Sequence, residues 1–472
     1  MKKIVFLLVF FPLFSFSQEK WTLEKCINYA IQNNLQVKTQ SLNNQIDKNN
    51  FLQSKLNLLP NLNIGASEAF VIGRSVDPFT NEFSTENYNS TNFQISSSIT
   101  LFNGLQNVNQ IKKAKIDSQR SEVQIEITKK NITLNIVSAY LNILYSNDLV
   151  EIAERQGEIT QQQLNRITIL VENGKLPQQN KYEFEAQLAN EELNIVTYKN
   201  QLENAKLILV QFLDLTDYKD FDIEIPNATI IENYTLLSFS QIYEDAQQNM
   251  PEIKAAELSV ESSERSLAIA RGGFYPRLTF SANYGTGYSS ARQMIDNILA
   301  GSPVLTEAFV TDALGNQLHV YDSQSSFTYK KQPFDYQIKD NSSASFAFNL
   351  TIPIFNNYQV KTNVNNSKIY IEQSKLAIEQ TKKDLQKEIQ QAYSDAQAAL
   401  KKHIATEKTL ESNRLNFNYI EARYQQGLVN PTDYNVAKNN LSKVETEHLK
   451  AKYDFIFKTK ILDFYSGKGI KF

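Results

Sequence analysis

The chain repeats itself, and the repetition limits its fold more than any other feature. Val37-Lys38 returns as Ile253-Lys254, and Pro60-Asn61-Leu62 returns as Pro276-Arg277-Leu278, both pairs 216 residues apart. Ile99-Thr100-Leu101-Phe102-Asn103 returns as Ile352-Pro353-Ile354-Phe355-Asn356, Ala139-Tyr140 as Ala392-Tyr393 and Gly174 as Gly427, all 253 residues apart. From Ile99 to Gly174 the register runs without a gap. The second copy therefore carries its 37 extra residues between the two strand-like segments. A unit written twice in order is a structural repeat, not a coincidence of composition. We place the first repeat at 18–227 and the second at 228–472.

Each copy reads as helix, strand, long loop, strand, very long helix, return helix. The expected strands lie near 61–73, 91–102, 276–286 and 343–355. The long helices span about 104–173 and 357–426, and the return helices about 178–213 and 431–465. Short helices precede each strand pair, the first opening at Thr22 with Glu24 nearby. Residues 214–235, acidic and aromatic with Pro226, connect the copies.

The strands alternate. Phe93, Ile95, Ile99 and Leu101 share one face, with Gln94, Ser96, Ser98 and Thr100 on the other. Leu278, Phe280, Ala282 and Tyr284 oppose Arg277, Thr279, Ser281 and Asn283; Phe346, Phe348, Leu350, Ile352 and Ile354 oppose Ser345, Asn349 and Thr351. Leu62, Ile64 and Ala66 open the weakest of the four. Such alternation suits a barrel strand with lipid on one side and a wet lumen on the other. A soluble half-buried hairpin has the same pattern. Phe70, Phe79, Phe83, Tyr88, Tyr284 and Tyr288 are candidates for an interfacial aromatic girdle.

The long segments carry a second pattern. No proline interrupts Gly104 to Val171, a stretch on the order of 100 Å as helix. Ile125, Ile132, Ile136, Ala139 and Ile143 form a 3,4-spaced seam, repeated by Ile378, Leu385, Ile389, Ala392 and Ala396. A second seam runs beside the first through Val123, Ile127, Leu134, Val137, Leu141 and Leu144. Two seams give one helix two neighbours, as in a wall.

The N-terminus sets the compartment. Lys2 and Lys3 precede an apolar run from Ile4 to Phe14 and then Ser15-Phe16-Ser17. That is the pattern of a secretory leader cleaved after Ser17. The run is shorter than the roughly 20 residues of a spanning helix, and Pro12 breaks it. The formal charge of −3 becomes −5 without the two lysines, too mild and dispersed for a nucleic-acid partner. Cys26, the sole cysteine, reads as a small buried hydrophobe. His319, His403 and His448 stand far apart, the latter two on helices without an i+4 ligand, so no metal site and no cofactor is expected. No phosphate loop, GxSxG or HExxH is present, which points away from an enzyme.

Four strands cannot close a transmembrane barrel, since the smallest single-chain barrels use about eight. An open sheet in lipid would leave backbone groups unpaired at several kcal/mol each. Several chains must share the ring, and three would supply twelve strands. The expected fold is mainly α with a small transmembrane β part: three chains sharing one 12-strand β-barrel, with the long helices projecting on one side and closing into a second, helical cylinder.

Over essentially the whole mature chain the sequence resembles the TolC family of outer-membrane efflux proteins. The residues that carry the resemblance are Pro60 and Pro276 entering strands, Leu101-Phe102-Asn103-Gly104 and Ile354-Phe355-Asn356-Asn357 opening the long helices, and Gly174 and Gly427 at the helix hairpins. It implies a homotrimer in outer-membrane lipid, a trimeric 12-strand β-barrel (four strands per chain) continued by a 12-helix periplasmic tunnel. It further implies a periplasmic adaptor docked at the tunnel tip and an inner-membrane RND or ABC transporter that drives export of small molecules or proteins. In that family the hairpins form a periplasmic gate closed by tyrosine and aspartate contacts. Tyr424, three before Gly427, and Asp433, six after it, match the pattern. In the first repeat Val171 takes the tyrosine-like place beside Gly174, and Asn180 the acidic one. Val429 lacks the basic side chain that some members carry. Asp433 also suits an ordinary first-turn helix charge after Pro431 and Thr432.

The extra stretch, 285–342, reads as an extracellular loop over the exit with a short helix around Gln293 to Leu299. Two other readings fit part of the pattern. A periplasmic adaptor would hold one helical hairpin within β-rich domains. A secreted coiled-coil scaffold would explain the seams and not the strands. Scarce Met and His argue against soft-metal efflux.

Overall fold

The computed structural model describes residues 20–77, 79, 81–85, 87–216, 221–226, 236–323 and 325–468. The leader at 1–17 and parts of the 214–235 connector lie outside them. The first repeat runs α1 (Leu23–Asn33), α2 (Leu35–Leu56), β1 (Asn63–Val71), β2 (Ser75–Val76), β3 (Phe83–Ser84), β4 (Tyr88–Asn103), α3 (Gln106–Glu172) and α4 (Gln178–Phe212). The second runs α5 (Phe239–Asn249), α6 (Pro251–Gly272), β5 (Arg277–Ser289), β6 (Gln293–Leu299), β7 (Pro303–Thr311), β8 (Gln317–Ser323), β9 (Ser326–Lys331), α7 (Phe334–Asp340), β10 (Ser343–Thr351), α8 (Gln359–Gln425) and α9 (Pro431–Tyr465).

Corresponding helices have the same length in both repeats. α1 and α5 have 11 residues, α2 and α6 have 22, α3 and α8 have 67, and α4 and α9 have 35. The duplication is thus structural, element by element. The chain folds as two compact units, a helical one (residues to 49, 114–263 and from 369 on) and a sheet-bearing one (50–113 and 264–368).

In the helical unit each repeat builds the same core. Thr22 caps α1 by accepting the Lys25 N–H at 3.1 Å, and Ser238 caps α5 from Gln241 at 3.3 Å. Cys26 and Ala30 on α1, both fully buried, share a cluster with Ile132, Ile136, Ala139 and Ile143. Ile242 and Ala246 on α5 do the same with Leu385, Ile389, Ala392 and Ala396. On α3 the second seam is buried as well, at Val137, Leu141 and Leu144. Burial pushes the Cys26 thiol up to about 12, so it stays a protonated hydrophobe.

In the sheet-bearing unit four antiparallel strands lie in the order β1-β4-β5-β10. The register aligns one apolar face: Ile64 opposite Ile95, Ile95 opposite Tyr284, Ile99 opposite Phe280, and Phe280 opposite Phe348. Ser96 opposite Asn283 and Thr279 opposite Asn349 line the polar face. A register shift between Thr100 and Phe102 marks a bulge where β4 nears α3. The apolar side is bare in the single chain: Ile64 is 77% exposed and Phe346 72%. No helix among the described residues is long and apolar enough to cross a membrane.

Two expectations are corrected here. Gln293–Leu299 is a strand, β6, paired with β9; with β7 and β8 it forms a long two-stranded ribbon. Seven residues fix neither structure by themselves, and pairing with β9 supplies the backbone bonds that make this segment a strand. The short helix of this region is α7. Tyr88 leaves the girdle: it is 4% exposed, its hydroxyl donating to the Val76 carbonyl at 3.2 Å. Phe70 and Phe83 remain exposed.

Candidate functional site

The two turns that reverse the long helices are built alike. Gly174 and Gly427 adopt φ of +69° and +74°. After α3, Gly174 N–H donates to the Val171 carbonyl at 2.9 Å and Lys175 N–H to Leu170 at 2.8 Å. After α8, Gly427 N–H donates to Tyr424 and Leu428 N–H to Arg423, each at 3.0 Å. This paired pattern is the Schellman cap, which satisfies the last helical carbonyls and needs a left-handed residue. A Cβ at either glycine would meet nothing within 4 Å, so backbone conformation is the reason for glycine, not space. Arg166 on α3 donates to the Gln425 carbonyl at 3.2 Å, placing a cation at the C-terminus of α8.

The return helices start differently. Pro177 precedes α4 without a side-chain cap. Asn430 caps α9 by accepting the Asp433 N–H at 2.7 Å, with Pro431 in the first helical position. Asp433 is exposed, and its carboxylate has no partner among the described residues. Asn180 is half-buried in the first turn of α4, its N–H on the Pro177 carbonyl at 3.1 Å.

Tyr424 sits in the apolar core of the tips. It stacks on Tyr434 with ring centroids 4.5 Å apart, and Phe184 and Phe417 flank Tyr434 at 6.2 and 5.6 Å. Ile167, Phe184 and Tyr434 are all but fully buried there, with Val171 packed alongside. Burial raises the Tyr424 hydroxyl above the ordinary phenol value. Between the two tips lies a cleft of about 560 Å³, lined by Arg166, Leu170, Leu176, Asn180, Tyr424 and Leu428 among others. Its lining includes three of the five residues expected at the gate, Tyr424, Gly427 and Asn180; Gly174, in the turn before Leu176, and Asp433, in the first turn of α9, are not part of it.

Sequence reasoning missed a buried polar layer just behind the tips. The Lys438 ammonium, its side chain 2% exposed, donates to Glu191 Oε1 at 2.9 Å, to the Gln156 carbonyl at 2.8 Å and to Thr160 Oγ1. Its three protons thus meet three acceptors on α3 and α4. Burial lowers the Lys438 pKa, and the bond to Glu191 opposes that fall. The readable signal was a lysine standing in the buried stripe Tyr434, Ala437, Leu441 of α9.

The histidines are also corrected. His403 and His448 are far apart in sequence, but α8 and α9 stack them with centroids 5.0 Å apart, and Phe455 lies 5.9 Å from His403. His403 Nδ1 is buried without a partner. Burial lowers both imidazole pKa values. Against expectation His403 does have a carboxylate at i+4, Glu407 on α8, yet no group of three or more metal-ligating side chains occurs among the described residues.

The family model described as outer membrane efflux protein matches residues 26–213 and 242–456, one span in each repeat. No curated protein matches the sequence. Among solved structures, CusC superposes with a TM-score of 0.73 at 16% identity, covering 95% of this chain and 92% of that one. The outer membrane protein VceC of Vibrio cholerae gives 0.72 at 15%, covering 95% and 97%. The CmeC outer membrane channel of Campylobacter jejuni gives 0.70 at 16%, covering 95% and 86%. At such identities the likeness carries the fold, which is that of trimeric channels. The adaptor and scaffold readings fall with these matches. The duplicated helices, the open amphipathic sheet and the two matched spans together place this chain in the outer membrane efflux protein family, as a TolC-like outer-membrane channel subunit of tripartite efflux systems.

Proposed function

We propose that three copies of this chain make one passive exit duct, with residues 1–17 removed and the repeats at 18–227 and 228–472 contributing equally to its wall. Channels of the family act as trimers with an adaptor and an inner-membrane pump. For this chain the reading rests on one observation: a four-stranded sheet with an apolar face exposed and two edges, β1 and β10, that no strand among the described residues covers. Only β10 of one copy meeting β1 of the next closes a ring of equivalent copies. Twelve strands then leave no edge in lipid.

The hairpin tips are the periplasmic entrance. Tyr424 supports the gate from within the tip core, and the exposed Asp433 carboxylate reaches across to a neighbouring copy. Gly174 and Gly427 set the turns, and Asn180 gives the first repeat a weaker polar contact. The cleft between the tips receives the adaptor, and an RND or ABC pump supplies the energy. Single-channel recording in planar bilayers tests the gate: Asp433→Ala raises the resting conductance several-fold, and an unchanged conductance removes Asp433 from it.

A further inference from the structure

Among the described residues, the ribbon β6–β9 has no buried side chain in the single chain. An isolated two-stranded hairpin is marginal in water, and this one is long. Its bulge between Ile295 and Asn297 brings Ile295, Ile298, Phe327 and Tyr329 onto one face, 46–63% exposed. Asn297, Thr328 and the Asp296–Lys330 ion pair at 2.8 Å mark the ribbon's polar character elsewhere. A contiguous apolar face of this kind signals an interaction site.

The base of the ribbon is fixed. Ser289 and Gln337, both fully buried, exchange hydrogen bonds at 2.9 Å, and Ser289 Oγ also bonds Asp77, which is 1% exposed. Arg292 bonds Asp340 at 2.8 Å, and Asn341 Nδ2 donates to the Gly287 carbonyl at 2.7 Å. The ribbon therefore leaves the sheet in a set direction, from the loop that joins β5 to the edge strand β10.

The register places the end of β1 at Val71 beside Tyr88, Ser90 beside Ser289, and Ser343 beside Gly285. The loop after β1 and the loop before β10 thus lie at the same end of the sheet, on its two opposite edges. The end of β1 and that first loop carry bare apolar side chains: Phe70 is 73%, Ile72 82% and Phe83 69% exposed. When β10 of one copy meets β1 of the next, these two surfaces become neighbours.

We propose that the apolar face of the ribbon docks on the β1-edge loop of the adjacent copy, over Phe70, Ile72 and Phe83, and clasps the barrel seam from outside the membrane. The inference rests on the trimer reading and adds to it a contact surface between copies, contributed by the 37-residue excess of the second repeat. Cys26 is buried, so introduced thiols report without background. The test is the chain carrying Ile298→Cys and Ile72→Cys, treated in intact outer membranes with a short-spacer bismaleimide, with each single variant as control. The docking predicts covalent dimers and trimers from the double variant and none from the Ile72→Cys control. A monofunctional maleimide that labels both thiols while the bismaleimide gives no ladder overturns it, because the face is then open. Thiols that neither label nor cross-link also overturn it, because lipid or another protein then covers them. A detergent-extracted chain that runs as a monomer fails the trimer reading itself, whereas a trimer without the ladder fails only this clasp.

Discussion

At the residue scale, the two tip glycines and the histidine pair make the sharpest expectations. Gly427 holds φ +74° within a Schellman cap, a conformation that costs an ordinary L-residue about 1–2 kcal/mol. Gly427→Ala lowers the thermal midpoint of the detergent-solubilised protein by a few degrees, read by circular dichroism. A midpoint at or above the parent's shows that the turn does not demand glycine. The histidines give a pH dependence whose sign follows from burial. Both folded-state values lie below the ordinary 6.5, so the unfolded chain binds more protons there. The pair's contribution is complete above about 6.5 and is lost as pH falls below that value. Glu407 favours the protonated form of both rings, while Lys452 disfavours it in both and Arg414 in His448. The equivalents of His403 and His448 in the first repeat are Val150 and Ile195. The variant His403→Val with His448→Ile flattens the acid limb of the stability profile between about pH 6.5 and pH 5. An unchanged acid limb places the sensitivity elsewhere.

At the element scale, packing decides what propensity leaves open. α3 and α8 each have 67 residues, and their seams were legible because long uninterrupted 3,4 spacing has few other readings. Gln293–Leu299 was not legible as a strand: its seven residues suit a helix or a strand locally, and β9, some thirty residues on, chose between them. The Lys438–Glu191 pair shows the same dependence on distant partners. A buried ion pair is not a large net stabiliser, but breaking one leaves a charge without compensation. Lys438→Met is therefore expected to destabilise the helical unit by about 3–5 kcal/mol. Adding Glu191→Leu recovers most of that loss, because two apolar side chains then replace two charges. Chemical unfolding of both variants checks this, and equal stability of the single and double variants rules out an uncompensated charge as the cause.

At the scale of the whole molecule, the chain is an incomplete object. Its sheet exposes an apolar face and two edges, a surface that only lipid and further copies can cover. The ribbon's far turn, Asp312 to Asn316, is held by Asp312 accepting from Leu314 and Asn316 at 2.9 Å, and Leu314 beside it is 87% exposed. Protease added to intact cells is expected to cut at this turn and leave the rest of the ribbon protected by the adjacent copy. A ribbon that survives whole is not on the cell surface.

The linear order of residues was enough for the duplication, the strand faces, the helix seams and the need for several copies, because these depend on local periodicity and on the cost of unpaired backbone in lipid. The turns at Gly174 and Gly427 and the first-turn position of Asp433 could be read the same way, since turn chemistry is local. Only tertiary structure could bring Lys438 onto Glu191, His403 onto His448 and Tyr88 inside its loop, and pair β6 with β9. Each of those contacts joins residues whose proximity depends on how whole helices and strands pack, and no periodicity along the chain encodes it.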